Sequence, residues 1–422
     1  MSTEYGFKKR ARAGSVKETL DAIETDPTHH LAGAFRPQTP LSETPRRAKA
    51  LSLKQEIAQA EKAPNYPPSG GLWSDIKTWQ WVVVPWSSLK LLVIFTLAYL
   101  NWALITPYVA PGLPNPFEPL LFISHRVPGS PDDDPRYQKG YLDLVFIAFY
   151  IIFFSFTRQL ICLHLLMPLG RWFGIRKQGK LDRFAEQAYT ALYFSCMGPW
   201  GLRIMSQLPT WWYKTEYFWI DYPHWDMKPE LKRYYLMQFA YWCQQLIVLA
   251  FGLEKPRVDY KELVAHHLVT LWLIGWSYLI NLTFIGNAVY VSMDIPDIFL
   301  AFSKVLNYLQ SKYKVVSFGV FFVIWTYFRH YLNLVILWSV YAEFDLMPES
   351  SKKWDPPQGV WMVWWMKWQI FVPILLLQFL NLFWYYFMLR ILWRALADPA
   401  GATDVRSDDE DDGEDEDDDK ED

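Results

Sequence analysis

Two adjacent histidines, His266 and His267, stand near the start of an apolar run over residues 263–282. The next apolar run carries Asp294 and Asp297. Ionisable side chains are costly inside a bilayer, so those retained there mark sites of chemistry. Imidazole takes or gives a proton near neutrality, and a carboxylate can orient an imidazole or hold an ammonium group. The quartet therefore predicts an acid–base reaction centre within lipid. The plain alternative is that the four side chains pair with one another and fasten helices together. Two His and two Asp could also hold one metal ion. The chain has eight histidines, and they form none of the HxxxH or HxxHH boxes of membrane di-iron hydroxylases and desaturases, so no metal is expected.

The elements that must position this centre follow from hydropathy. The chain has 422 residues, 52% of them hydrophobic, with 23 Trp, 25 Tyr and 28 Phe. Its apolar blocks exceed the roughly 20 residues needed to cross a bilayer. Eight spans are predicted, at residues 82–109, 141–169, 184–205, 234–253, 263–282, 284–309, 318–340 and 360–392. Irregular chain does not survive in lipid, so the expected fold class is an all-α polytopic membrane protein of about eight transmembrane helices with disordered termini. Trp73, Trp79 and Trp81 announce the first interface. Lys and Arg gather in the loops after spans two, four and six, including Arg171, Arg176, Lys177, Lys180 and Arg183. Alternate loops are acidic or mixed. That bias predicts a multi-pass protein with both termini in the cytosol.

A rise of 1.5 Å per residue puts the histidines about 7–9 Å in from Lys261, and Asp297 about 10 Å in from Lys304 on the returning span. Asp294 is a turn deeper and, at i,i+3, shares a face with Asp297. The spacing predicts one shared cavity on the cytosolic side. Adjacent helical residues point about 100° apart, so the two histidines cannot present to it alike.

The flanks are of another kind. Residues 1–72 are polar and Pro-rich, predicted cytosolic and mostly disordered, with a helix at 51–63; residues 73–398 form the transmembrane region. Residues 399–422 form an acidic, disordered tail. The last 22 residues hold 14 Asp and Glu against Arg406 and Lys420, so the remainder carries 39 basic and 30 acidic residues, about +9 (39 − 30), within a net charge of −3. A basic body suits anionic lipid or phosphate-bearing substrates. Cys162, Cys196 and Cys243 lie in apolar runs and imply no disulfide framework. No signal peptide is expected ahead of the first span. The sequon Asn281-Leu-Thr283 lies at a membrane edge, where glycosylation is not expected. Ser15 follows Arg10-x-Arg12, and Ser407 precedes Asp408-Asp409-Glu410, patterns of basophilic and acidophilic kinase sites.

Between residues 263 and 309 stand, in order, His266-His267, Ser277-Tyr278 with Asn281, Asp294-x-x-Asp297 and Asn307-Tyr308. KLDRFAEQAYTALYF (180–194) and YYLMQFAYWCQQ (234–245) precede them. With this ordered set the region from about 180 to 392 resembles the TLC-domain ceramide synthases, the longevity-assurance family, in its fungal form. The resemblance implies a TLC-domain bundle enclosing an intramembrane cavity. It also implies transfer of a fatty acyl group from acyl-CoA to the amine of a sphingoid long-chain base (dihydrosphingosine or phytosphingosine) in the endoplasmic reticulum membrane. No cofactor is expected; acyl-CoA is a co-substrate. A desolvated histidine can remove the amine's proton or itself be acylated. We take His266 as nucleophile and His267 as its partner, with Asp294 and Asp297 orienting an imidazole and holding the ammonium group. Ser277, Tyr278, Asn281, Asn307 and Arg329 are candidate substrate contacts, although Arg329, like Arg158, Arg203 and Glu186, reads first as an ion-pair partner. Many animal relatives have His-Asp where this chain has Met293-Asp294, and a homeobox-like insert that the loop 107–140 lacks. Residues 341–359 correspond to a segment linked in the family to acyl-chain preference. Implied partners are a small single-span regulatory subunit and a homo- or hetero-dimer with a paralogue; no nucleic acid is expected. The rival function is a non-enzymatic TLC-domain protein that senses or moves lipids.

Overall fold

Among the described residues, eight long helices overlap the eight apolar stretches read from the sequence. They are α1 (Pro85–Val109), α2 (Leu142–Trp172), α3 (Gln178–Ser206), α4 (Pro229–Ala250), α5 (Tyr260–Leu279), α6 (Thr283–Tyr308), α7 (Lys314–Ala342) and α8 (Met366–Ala397). The computed structural model describes residues 71–251 and 260–397. The predicted disorder of both termini, the helix at 51–63, the acidic tail, Ser15 and Ser407 lie outside the described residues. Among the described residues there is no sheet, only isolated bridges such as Asp355 with Val360.

Among the described residues, four helices are long and apolar enough to cross a membrane: α1, α2, α7 and α8. The other four fall short of that apolar length, with polar and charged residues such as Lys232 in α4 and Asp294, Asp297 and Lys304 in α6. The largest differences from the hydropathy expectation are at the starts of α3 and α8. Helix α3 starts at Gln178, ahead of its apolar core, because Gln178 bonds Asp182 at 2.7 Å and Arg183 pairs with Glu186 at 3.3 Å. Such i,i+4 and i,i+3 pairs hold a polar helical turn together. Helix α8 starts at Met366, since Val360 is engaged in the bridge to Asp355 across the turn at Gly359.

Helices α3 and α6 pack along one another through small residues. A Cβ on Gly198 would lie 3.1 Å from Ile295 Cδ1, and one on Gly201 would lie 3.3 Å from Val291 Cγ2, both on α6. Backbones approach closely in lipid where such residues line the contact. At the end of the bundle away from the α5 N-terminus, connecting segments are pinned by side chains. Trp219 Nε1 donates to Ser339 Oγ at 2.9 Å, the Tyr222 hydroxyl to the Ile280 carbonyl at 2.7 Å, and the Tyr213 hydroxyl to the Ala288 carbonyl at 2.9 Å. Each pairs a buried polar group that would otherwise be destabilising. A buried ion pair at 2.8 Å, Lys232 with Asp143, ties α4 to α2.

Candidate active site

His266 and His267 are both buried, 8% and 6% exposed. Trp242 of α4 meets both rings edge-on, with centroids 5.6 Å away in each case, and Trp384 of α8 meets His266 at 5.4 Å. The two imidazoles are not equivalent. His267 Nδ1 lies 2.8 Å from the Leu263 carbonyl one turn back. A carbonyl only accepts, so Nδ1 carries a proton. His266 Nδ1 is buried with no hydrogen-bond partner.

On α6, Asp294 is fully buried. Its Oδ2 accepts from the Gln238 amide and from the Tyr234 hydroxyl at 3.3 Å, while Oδ1 has no partner. Gln238 in turn accepts from the Tyr193 hydroxyl at 2.8 Å. Asp297 forms an ion pair of 2.7 Å with Arg329. Arg329 also donates to the Met293 carbonyl at 3.0 Å and to Asn381 Oδ1 at 3.1 Å, and lies 4.2 Å above the Trp325 ring. It sits within a π-helical stretch of α7, Thr326–Leu332. Such stretches recur at functional sites because they re-aim side chains within a helix. From the sequence the two aspartates are expected to orient an imidazole and hold the ammonium group. The hydrogen bonds they accept in the structure come from Gln238 and Tyr234 of α4 and from Arg329 of α7.

Two cavities meet at His266. One lies towards the α5 N-terminus and is lined by Arg158, Glu186, His267, Asp297 and Lys304. The other runs towards the opposite end with walls such as Trp276, Ile280, Ile285, Ile370 and Ile374. His266, Trp242 and Arg329 line both. His267 and Asp297 face the polar cavity, and Asp294 faces the apolar one. The arrangement suits an amphiphile whose polar head stays in the first cavity, whose chain enters the second, and whose reactive carbon stops at His266.

The other candidate contacts divide. Ser277 lines the apolar cavity and is hydrogen-bonded to Tyr235. Tyr278 donates instead to Asp143 at 2.8 Å, and Asn281, at a left-handed φ of 62°, donates to the Gly359 carbonyl at 3.0 Å. Asn307 stands in the last turn of α6 and lines neither cavity. Not singled out from the sequence were Tyr234, Gln238 and Trp242, although their i, i+4, i+8 spacing in α4 is a stripe of polar and aromatic groups on one helical face. Among the described residues no three His, Cys, Asp or Glu side chains are grouped as a metal site requires.

A model of the TLC domain matches residues 183–390. Sphingosine N-acyltransferase lac1 of Schizosaccharomyces pombe is 39% identical over 382 residues, 90% of this chain and 91% of the relative. The chain belongs to the TLC-domain ceramide synthase family. Ceramide synthase LAG1 of Saccharomyces cerevisiae is 40% identical over 282 residues, 67% of each chain. Ceramide synthase 4 of Mus musculus is 29% identical over 250 residues, 57% of this chain and 59% of its own. The matched TLC segment contains all of the residues lining the two cavities except Arg158. In this member of the ceramide synthase family, then, α1 and α2 lie outside the matched region, and the candidate site, Arg158 apart, lies within it.

Proposed function

We propose that the protein makes ceramides by moving a fatty acyl group from acyl-CoA to the amine of a sphingoid long-chain base. The observation that carries this reading is the place of His266, where a polar and an apolar cavity meet, with an unpartnered ring nitrogen. Family membership gives the reaction class. An imidazole nitrogen of His266 attacks the thioester carbonyl, the C–S bond breaks, and CoA leaves with the proton that the ring releases. The amine attacks the acyl-imidazole and passes a proton to His267. As the amide C–N bond forms, the bond between the acyl carbon and the His266 nitrogen breaks, and His267 returns the proton to the departing His266 ring, which regenerates both imidazoles. Asp294 Oδ1 holds the incoming ammonium group. Arg329 fixes Asp297 and the α6 backbone beside the reacting atoms. No cofactor takes part.

The decisive experiment incubates the purified full-length protein with acyl-CoA and long-chain base and follows the products by mass spectrometry. N-acylated base is expected from wild type. His266→Ala should lose at least about 1000-fold in rate, the scale of removing a covalent catalyst. A His266→Ala protein of unchanged melting temperature with activity within threefold of wild type would sink the assignment.

Around this centre we place eight spans at α1 to α8, with both termini in the cytosol of the endoplasmic reticulum membrane. The region 73–398 is flanked by a cytosolic N-terminal region (1–72) and an acidic tail (399–422), and the TLC domain covers about 180–392. Ser15 and Ser407 are proposed phosphorylation sites. A small single-span subunit and a second copy or paralogue are proposed partners. Thioester delivery from the cytosol requires the His266 end of the bundle to face that side. A protease or cysteine-labelling map of the loops in sealed microsomes checks this topology.

A further inference from the structure

We propose that Tyr290 forms, beside Asp294, a subsite for a hydroxyl group of the amine substrate; the assignment rests on the acyl-transfer reading above. Tyr290 precedes Asp294 by one turn of α6, so the two side chains share a face about 6 Å apart along the axis. Both line the apolar cavity. The Tyr290 side chain is buried, 4% exposed, and its hydroxyl has no hydrogen-bond partner. Nor has Asp294 Oδ1, whose sister oxygen is filled by Gln238 and Tyr234. The phenol is not free to turn elsewhere. Tyr234 and Tyr235 clamp its ring edge-on, with centroids at 5.5 and 5.3 Å and interplanar angles of 80° and 79°.

An unpaired buried hydroxyl destabilises a fold more than one ordinary hydrogen bond stabilises it. Here two such atoms sit one helical turn apart in a wall that is otherwise mostly apolar. One is a carboxylate oxygen, which accepts; the other is a phenol, which donates or accepts. The ligand that satisfies both carries an ammonium group and a hydroxyl on a neighbouring carbon, with an alkyl chain to cover the remaining wall. Long-chain 2-amino alcohols have that pattern, and plain long-chain alkylamines lack half of it. A site built to pair a substrate hydroxyl rejects the analogue without it, because its own polar group is then left buried and unpaired.

The test uses the full-length protein with one acyl-CoA and two amines of equal chain length, a 2-amino-1,3-diol and a primary alkylamine. Wild type should favour the aminodiol at least about tenfold in kcat/KM, the scale of one neutral hydrogen bond. Tyr290→Phe should lose about tenfold for the aminodiol, mostly through KM. It should leave the alkylamine within twofold, so that the preference collapses. Its melting temperature should hold or rise, since an unpaired hydroxyl has gone. An unchanged preference, or an equal loss for both amines, overturns the proposal. A Tyr290→Phe protein that melts lower or is not recovered folded marks the hydroxyl as structural and also overturns it. Wild type that N-acylates neither amine overturns the acyl-transfer reading itself, an outcome distinct from product formation with an unchanged preference.

Discussion

Lys232–Asp143 and Arg329–Asp297 are both ion pairs sealed among helices, at 2.8 and 2.7 Å, yet their surroundings differ. The Lys232 ammonium, 0% exposed, also donates to the carbonyls of Ser124 and Gln138. Asp143 Oδ2 accepts from Tyr278 and from the Gly140 amide. The pair lines neither cavity, and its partners come from α2, α4, α5 and the loop before α2. Arg329 spreads over Asp297, a carbonyl and Asn381, keeps one buried guanidinium nitrogen unpaired, and borders both cavities. A buried charge closed in by backbone acceptors fastens a fold. A buried charge with spare donors at a cavity wall is held ready for a ligand. The same chemistry thus serves two purposes, and the difference lies in what is left unpaired.

Breaking the closed pair should have the largest effect. Asp143→Leu strands the Lys232 ammonium away from water, which costs about 3–5 kcal/mol, and adding Lys232→Met should recover most of it. Thermal unfolding of the purified variants checks this. A double variant as unstable as the single would mean that the pair is not what ties these helices. Arg329→Met should act on the reaction instead. N-acylation should fall about 100-fold or more, the scale of losing one preorganised donor at a reacting centre. Its melting temperature should drop less than that of Asp143→Leu, because Asp297 is 14% exposed at a polar cavity that can solvate it. Adding Asp297→Leu should restore stability without restoring activity. Arg329→Lys keeps the charge and loses the planar fork, so its activity should fall between wild type and Arg329→Met. Equal behaviour of the two regions in these assays would dissolve the distinction.

Hydropathy located all eight long helices because a buried or lipid-facing helix must be apolar over most of its length. It misjudged the ends of α3 and α8, where i,i+4 pairing and a turn at Gly359 outweigh hydrophobicity. The candidate site was legible as far as ionisable groups in apolar runs reveal it. His266, His267, Asp294, Asp297 and Arg329 all line the two cavities. Tyr278 and Asn281 were legible only as motif members, and the structure turns their side chains to Asp143 and Gly359. Gln238, Tyr234 and Tyr290 escaped because uncharged polar and aromatic residues are common in such helices. Their meaning depends on which atoms lack partners, and only the packed structure gives that.

The smallest expected effect sharpens the same contrast through pH. Lys139 precedes α2, next to the Gln138 carbonyl that receives Lys232, and it donates to the Leu279 carbonyl at the end of α5. Burial pulls its pKa from 10.5 down to about 8. Between those values the unfolded chain binds more protons than the folded one, so stability rises with pH across that window. Below pH 8 the folded state carries the whole penalty. Lys139 is partly exposed, and solvent screening keeps the effect small. Wild type should therefore gain roughly one or two degrees in melting temperature over Lys139→Met between pH 7.5 and 10. N-acylation per folded molecule should show no difference between the two proteins over that range, since Lys139 lines neither cavity. A shift in the pH–rate profile with the melting temperatures unmoved would place Lys139 with the reaction rather than with the closed pair.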